Sequence, residues 1–313
     1  MRIVFAGSSP LGCPALSRLL ESGRHTVAGV ITQPDRPRGR RLRVAPCAVR
    51  VHLGARELPI LQPENVNRPE SVEAIRALAP DILVVVAYGQ ILKRPLLELP
   101  PRGCVNMHAS LLPAYRGAAP IQWAIADGCR ETGVTVMQMN ERMDAGAILA
   151  QRTVAIAGDD TAATLHDRLA EVGGTLMPET LAAIERGTVR PRPQDDEQAT
   201  YAPKLRKEDG RIDWTMPAEQ LYNRIRGFNP WPCCHCRIPA ARSGARRLRV
   251  LRAAVGAGVG KPGELLDTGA DGPLVAAGEG ALRLLEVQPE GRRVMSGADF
   301  LRGHELEPGI RLE

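Results

Sequence analysis

The chain has 313 residues, 44% of them hydrophobic, and its 41 basic and 35 acidic side chains leave a net charge of +6. That length allows two domains with a sizeable core, and the composition excludes a disordered chain. No apolar run approaches the roughly 20 residues of a membrane span.

The opening MRIVFAGSSP enters a strand-like run at once, leaving no room for a signal or transit segment, so a cytoplasmic protein without membrane attachment is expected. RIVFAG (2–7) is a short apolar run ending in glycine, and LGCPALSRLLESG after it has helical spacing up to Gly23. TVAGVIT (26–32) predicts a second strand. DILVVVAYG (81–89) is nearly all apolar, as a parallel strand buried on both faces should be. GCVNMH (103–108) and TGVTVMQM (132–139) continue the series, with helical spacing in APIQWAIADG between them. Strands alternating with helices predict a doubly wound, mostly parallel α/β sheet, and a long helix over about 161–186 closes it.

GTVRPRPQDDEQATYAPK (187–204) is rich in proline and charge and has no apolar period, which predicts a linker. A short helix near 217–227 then leads into CHCRIPA, RLRVLRA, GELLDTG, GPLVAAG and ALRLLEVQPEG. Short strands at close spacing with glycine turns predict a small antiparallel barrel. The expected division is a first domain over 1–188, a linker over 189–204 and a second domain over 205–313.

Three motifs are weak. GSSPLG (7–12) is neither G-x-G-x-x-G nor a phosphate loop, and a turn that opens a helix is the better reading. GAGVGKPG (256–263) has Pro262 where a phosphate loop needs Ser or Thr. PCCHC (232–236) places Cys233, Cys234 and Cys236 around His235, but a zinc site needs four converging ligands and no second pair lies at a suitable distance. The seven cysteines are scattered and odd in number, so reduced thiols are expected.

Charge is unevenly spread: residues 1–60 carry ten basic and three acidic side chains. QPDRPRGRRLRVAP (33–46) holds Arg36, Arg38, Arg40, Arg41 and Arg43 against the single acid Asp35. Prolines and a glycine exclude a regular helix or a central strand there. A solvated charged loop and a phosphate-binding loop are equally good readings of the run alone.

CVNMHASLLPAYRG (104–117) carries the clearest chemistry. Side chains alternate along a strand, so Asn106 and His108 point the same way and Met107 the other. In an open α/β sheet ligands bind beyond the carboxyl ends of the strands, where this pair falls. An amide donor beside an imidazole, whose ordinary pKa is about 6.5, suits addition to a carbonyl. SLLPAYRG then turns with a proline and two leucines, a candidate wall for a flat heterocycle. Asp144, in ERMDAGAIL, is a third candidate if the strand 132–139 ends at the same crevice; spacing alone favours a turn aspartate before Gly146.

Taken together these segments resemble the folate-dependent formyltransferases. The resemblance rests on N-x-H at Asn106 and His108, S-L-L-P at Ser110, Leu111, Leu112 and Pro113, and the D-x-G aspartate Asp144. FAG (5–7), TQPDRP (32–37), VVVAYG (84–89), RGAAPIQ (116–122), RIDW (211–214) and IRGFNPWP (225–232) extend it over nearly the whole chain. It implies formyl transfer from 10-formyltetrahydrofolate, as a co-substrate, to the α-amino group of methionine on initiator tRNA, for translation initiation, with no metal or nucleotide. It also implies a Rossmann-like first domain, a second domain of the OB type, and a monomer. Asn106, His108 and Asp144 would be catalytic, and Ser110–Pro113 would contact folate. The basic loop would meet the acceptor stem. Leu11 stands where the family usually has an aromatic near the methionine side chain. Two alternatives stay open: a formyltransferase acting on a small amine such as an amino sugar, and a non-catalytic basic RNA-binding protein.

Overall fold

Strands that carry no polar face must be covered on both sides, and this constraint orders the first half of the fold. The computed structural model describes residues 1–38, 43–239, 246–304 and 306–313. Two units are separable. One comprises Met1–Pro120, Thr132–Ala155 and His166–Ala202, and the other Ile121–Glu131, Ile156–Leu165 and Pro203–Glu313.

The chain runs β1 (Arg2–Gly7), α1 (Cys13–Glu21), β2 (Thr26–Ile31), β3 (Arg36–Arg38), β4 (Arg43–Ala45), α2 (Ala48–Leu53) and β5 (Ile60–Leu61). It continues with α3 (Pro69–Ala77), β6 (Ile82–Val86), α4 (Arg94–Leu97), β7 (Cys104–His108), β8 (Arg116–Gly117) and α5 (Pro120–Ala126). Next come β9 (Glu131–Gln138), β10 (Ile148–Ala155), α6 (Ala162–Glu185) and β11 (Tyr201–Ala202). The first unit holds a seven-stranded sheet in the order β10-β9-β7-β6-β1-β2-β5. β5, β2, β1, β6 and β7 run parallel to one another. Every residue of β6 is buried, which is why ILVVV needs no polar alternation.

β9 departs from the expected series. It is antiparallel to β7, with Val105 opposite Gln138 and His108 opposite Thr135. Its carboxyl end therefore lies toward the start of β7, not at the crevice beyond the carboxyl ends of the parallel strands. Sequence periodicity reports burial, not strand direction, and β9 is buried from Thr132 to Met137 whichever way it runs.

α6 lies against the opposite face of β7 from the Asn106 and His108 side chains. A Cβ added to Gly173 of α6 would fall 2.3 Å from the Met107 sulfur, so helix and strand approach at a position without a side chain. The segment 187–202 belongs to the first unit: Arg192 exchanges backbone hydrogen bonds with Ile148, and β11 pairs with β8.

In the second unit α7 (Ala218–Gly227) is followed by β12 (His235–Ile238), β13 (Arg246–Gly256), β14 (Leu265–Asp267), β15 (Leu274–Ala276), β16 (Ala281–Pro289), β17 (Met295–Ser296) and α8 (Gly297–Arg302). The sheet is antiparallel, in the order β12-β13-β16-β15-β14 with β17 on β16. The expected barrel is not closed: among the described residues no strand ladder joins β12 to β14. The last residues lie between these edges instead. Leu265 N–H donates to Ile310 O, Leu312 N–H to Gly263 O, and Arg237 and Glu313 exchange backbone hydrogen bonds. Trp123 packs edge-on against Phe228 at 5.5 Å and donates from Nε1 to Pro203 O. Cys233, Cys234 and Cys236 are buried, and burial pushes Cys234 and Cys236 up to about 12. Among the described residues no group of His, Cys, Asp or Glu could hold a metal ion, and no helix is long and apolar enough to cross a membrane.

Gly146 gives a stability prediction. A Cβ there would lie 1.7 Å from the Gln138 carbonyl oxygen, on backbone that cannot swing aside. Gly146→Ala should cost about 1–3 kcal/mol in denaturant melts, as overpacking does; an unchanged midpoint would show that the β9–β10 turn yields.

Candidate active site

β7 is short, and its two inward-facing polar residues sit in its last turn of pleat. The Asn106 side chain is half-buried, and its amide makes no hydrogen bond among the described residues. His108 is 6% exposed, with Nε2 2.9 Å from the Tyr115 carbonyl oxygen. A carbonyl only accepts, so Nε2 carries a hydrogen and the other ring nitrogen is the one free to gain or lose a proton. That nitrogen, Nδ1, is 3.8 Å from Asp144 Oδ2.

The structure thus brings Asp144 to His108 despite the direction of β9. The turn between β9 and β10 folds back, and Asp144 adopts a φ of 50° at its tip. Its Oδ2 accepts from Gly117 N–H at 2.9 Å. Gly117 itself has φ 120°, and a Cβ there would meet the Ala202 carbonyl oxygen at 2.7 Å. Tyr115, whose carbonyl engages His108, has φ 57°. Two non-glycine residues in the left-handed region flank one imidazole, and such strain collects at functional sites.

The SLLP loop is braced rather than open. Ser110 is fully buried and donates to Ala114 O at 2.6 Å. Thr135 on β9 donates to Ser110 O at 2.7 Å and accepts from Leu112 N–H at 3.1 Å. Gln151 Nε2 donates to Leu112 O and to Thr135 Oγ1. Leu112 is 2% exposed, while Leu111 and Pro113 are half-buried. Leu111 and Pro113 therefore present the accessible surface of this wall.

A second tier was not visible in the sequence. Arg116 is 1% exposed; its guanidinium bonds to Gln194 Oε1 and lies 2.9 Å from Asp196 Oδ1. Gln194 Nε2 donates to the carbonyl oxygens of Asp144 and Gly146. Asp196 also takes Arg142 at 2.6 Å, and this hydrogen bond, with that from Arg116, holds its carboxyl below the usual range. The only local sign was an arginine in a stretch otherwise apolar or small. Its partners lie about 80 residues away, at a separation no periodicity reports.

Elsewhere at the carboxyl ends of the parallel strands, Ser8 Oγ accepts from Gln33 N–H at 2.9 Å, tying the ends of β1 and β2. Leu11 is buried at 7%, in a single turn that leads into α1. The basic segment begins as the hairpin β3–β4, in which Arg36 faces Ala45 and Arg38 faces Arg43. Arg36 and Arg43 are exposed, Arg36 being 3.8 Å from Glu64. Arg40 and Arg41 lie outside the described residues.

A half-buried amide, an imidazole and a carboxylate converge at the end of a doubly wound sheet that carries no nucleotide fingerprint. Comparison with known proteins gives the family. The description Formyl transferase matches residues 1–181 and Formyl transferase, C-terminal domain, matches 204–305; the chain belongs to this family. Methionyl-tRNA formyltransferase of Geobacter metallireducens is 46% identical over 312 residues, covering 100% of this chain and 98% of that one. HypX from Aquifex aeolicus, solved in complex with tetrahydrofolic acid, shares the fold with a TM-score of 0.63 at 19% identity over 96% of this chain. This chain spans about half of HypX, 47% of its length. An N-formyltransferase from Helicobacter canadensis, solved with folinic acid and dTDP-3-aminofucose, gives a TM-score of 0.64 at 15% identity, covering 92% of this chain and 99% of that one.

Two substitutions probe the braces. Thr135→Val keeps the shape but leaves Leu112 N–H and Ser110 O without their partner, and should destabilise by about 1–3 kcal/mol, read by denaturant melts. Gln194→Ala frees the Asp144 turn and should lower turnover about 10- to 100-fold with KM less affected; a loss confined to KM would detach Gln194 from the chemistry.

Proposed function

We propose that this chain transfers the formyl group of 10-formyltetrahydrofolate to the α-amino group of methionine on initiator Met-tRNA, the formylation that precedes translation initiation. Full-length similarity to a protein named methionyl-tRNA formyltransferase carries the choice of substrate. The polar cluster fits the chemistry. Among the described residues the Asn106 amide donor has no partner, and the wall beside it offers Leu111 and Pro113 to a flat pterin ring.

The neutral amine of methionine attacks the formyl carbon, and the carbonyl π electrons move to oxygen. Asn106 donates to that oxygen, acting as the oxyanion donor. His108 Nδ1 takes the proton that the amine sheds, and Asp144 stabilises the imidazolium while Tyr115 O holds Nε2–H. Collapse of the adduct breaks the bond to N10, which receives a proton from His108. No covalent enzyme intermediate is required. The catalytic domain would cover 1–188 and a tRNA-binding domain 205–313, joined through 189–204. Arg36, Arg38, Arg40, Arg41 and Arg43 would meet acceptor-stem phosphates, and Leu11 would border the methionine side chain. The protein would act as a monomer in the cytoplasm.

The direct test is formyl transfer to Met-charged initiator tRNA, with elongator Met-tRNA alongside. Transfer to the initiator is expected. None to either, with folate still bound, would point to a small amine acceptor; no folate binding would favour a non-catalytic RNA binder. Asn106→Ala should lower turnover about 10²–10³-fold, and full activity would remove it from the oxyanion role. Replacing Arg38, Arg40 and Arg41 by Ala should weaken tRNA use and reduce the slope of log affinity against log salt by about one per lost phosphate contact. An unchanged slope would place the tRNA elsewhere.

A further inference from the structure

One large aromatic ring stands exposed beside the catalytic cluster. Tyr201 is 68% exposed, although its backbone is fixed in β11 in register with Arg116. The same pairing supports the site: Arg116 N–H donates to Thr200 O, Tyr115 N–H to Thr200 Oγ1, and Gly117 N–H to Asp144 Oδ2. Tyr201 is therefore one backbone hydrogen bond from the residues that position both His108 and Asp144. Met143, next to Asp144, is also exposed, at 62%. The Arg142 guanidinium is fixed on Asp196, the carboxylate that also pairs with Arg116, the residue opposite Tyr201.

An exposed tyrosine is ordinarily a solvated residue. Here the substrate requires something near it. The reacting amine is esterified through its own carboxyl group to the ribose of the terminal nucleotide, so one ester and one sugar separate it from the last base. That base is unpaired and has two π faces to cover. Asp195, Asp196 and Glu197 are exposed on the adjoining turn, which makes the surface a poor one for phosphate. An aromatic face edged by an already paired guanidinium suits a base and not a backbone.

We propose that Tyr201 is the stacking platform for the unpaired 3′-terminal base of the aminoacyl-tRNA, with Met143 and Arg142 at the edge of the same base. The proposal rests on the Met-tRNA reading above and names the part of that substrate that meets this surface. It accounts for a large aromatic left in water on a strand whose other side chain, Ala202, is buried.

The test uses the full chain and Met-tRNA bearing 2-aminopurine as its 3′-terminal base, whose fluorescence falls on stacking. Quenching on binding is expected with the unaltered protein, lost in Tyr201→Ala and restored in Tyr201→Phe. The KM for Met-tRNA should rise about tenfold or more in Tyr201→Ala, while the KM for 10-formyltetrahydrofolate stays put. Tyr201→Leu keeps the bulk without the π face and should behave as Tyr201→Ala, which covers a failure of the smaller residue to fold. Undiminished quenching in both variants, in a protein that formylates Met-tRNA normally, overturns the platform and leaves the Met-tRNA reading standing. No formylation of Met-tRNA by the unaltered protein would sink that reading, and the platform with it.

Discussion

A buried guanidinium must be answered on all sides, and the Arg116 guanidinium imposes that requirement on the first unit. Removing a charge from water costs several kcal/mol unless it is paired and hydrogen-bonded. Among the described residues both of its partners come from the stretch beyond α6: the Gln194 amide oxygen and the Asp196 carboxylate. The same Gln194 holds the Asp144 and Gly146 carbonyls with its nitrogen. Three distant stretches, around residues 110–117, 139–147 and 190–202, are thus drawn together by one charge. Asp196 has a lowered carboxyl pKa, so its link is fully present above the ordinary carboxylate range and is lost only as pH falls through the lowered value.

This arrangement explains why the polar cluster on β7 is small and its support large. Asn106 and His108 need only the pleat of one strand to share a face. The orientation of His108 needs a carbonyl from Tyr115, and Asp144 needs an amide from Gly117, both on backbone that ordinary residues avoid. Thr135 on β9 and Gln151 on β10 brace the apolar wall. Most of these supports have main chain at one end, which any sequence has, so they leave no motif.

Legibility in the sequence follows the same division. The doubly wound sheet was readable because DILVVVAYG has no polar face, and the pair on β7 because a period of two is local. Met107 turning away, toward Gly173, followed from that period too. The direction of β9 was not readable, since an apolar strand looks the same from either end. Asp144 reaches His108 through a turn that bends back, a result that pattern reading by itself did not supply. The antiparallel character of the second unit was visible in its short strands and glycine turns; its open edge was not, because closure is decided by pairing between strands far apart in sequence.

That open edge has its own consequence. β12 and β14 are the two free borders of the sheet, and an unpaired border presents a row of amides and carbonyls to any other extended chain. Residues 310–313 occupy both at once, hydrogen-bonded to Gly263 and Leu265 on one side and to Arg237 on the other. With Ile212 N–H donating to His235 O on β12, this short segment does the work that an extra strand would do in a closed cylinder. It covers backbone groups that would otherwise offer a neighbouring molecule a template.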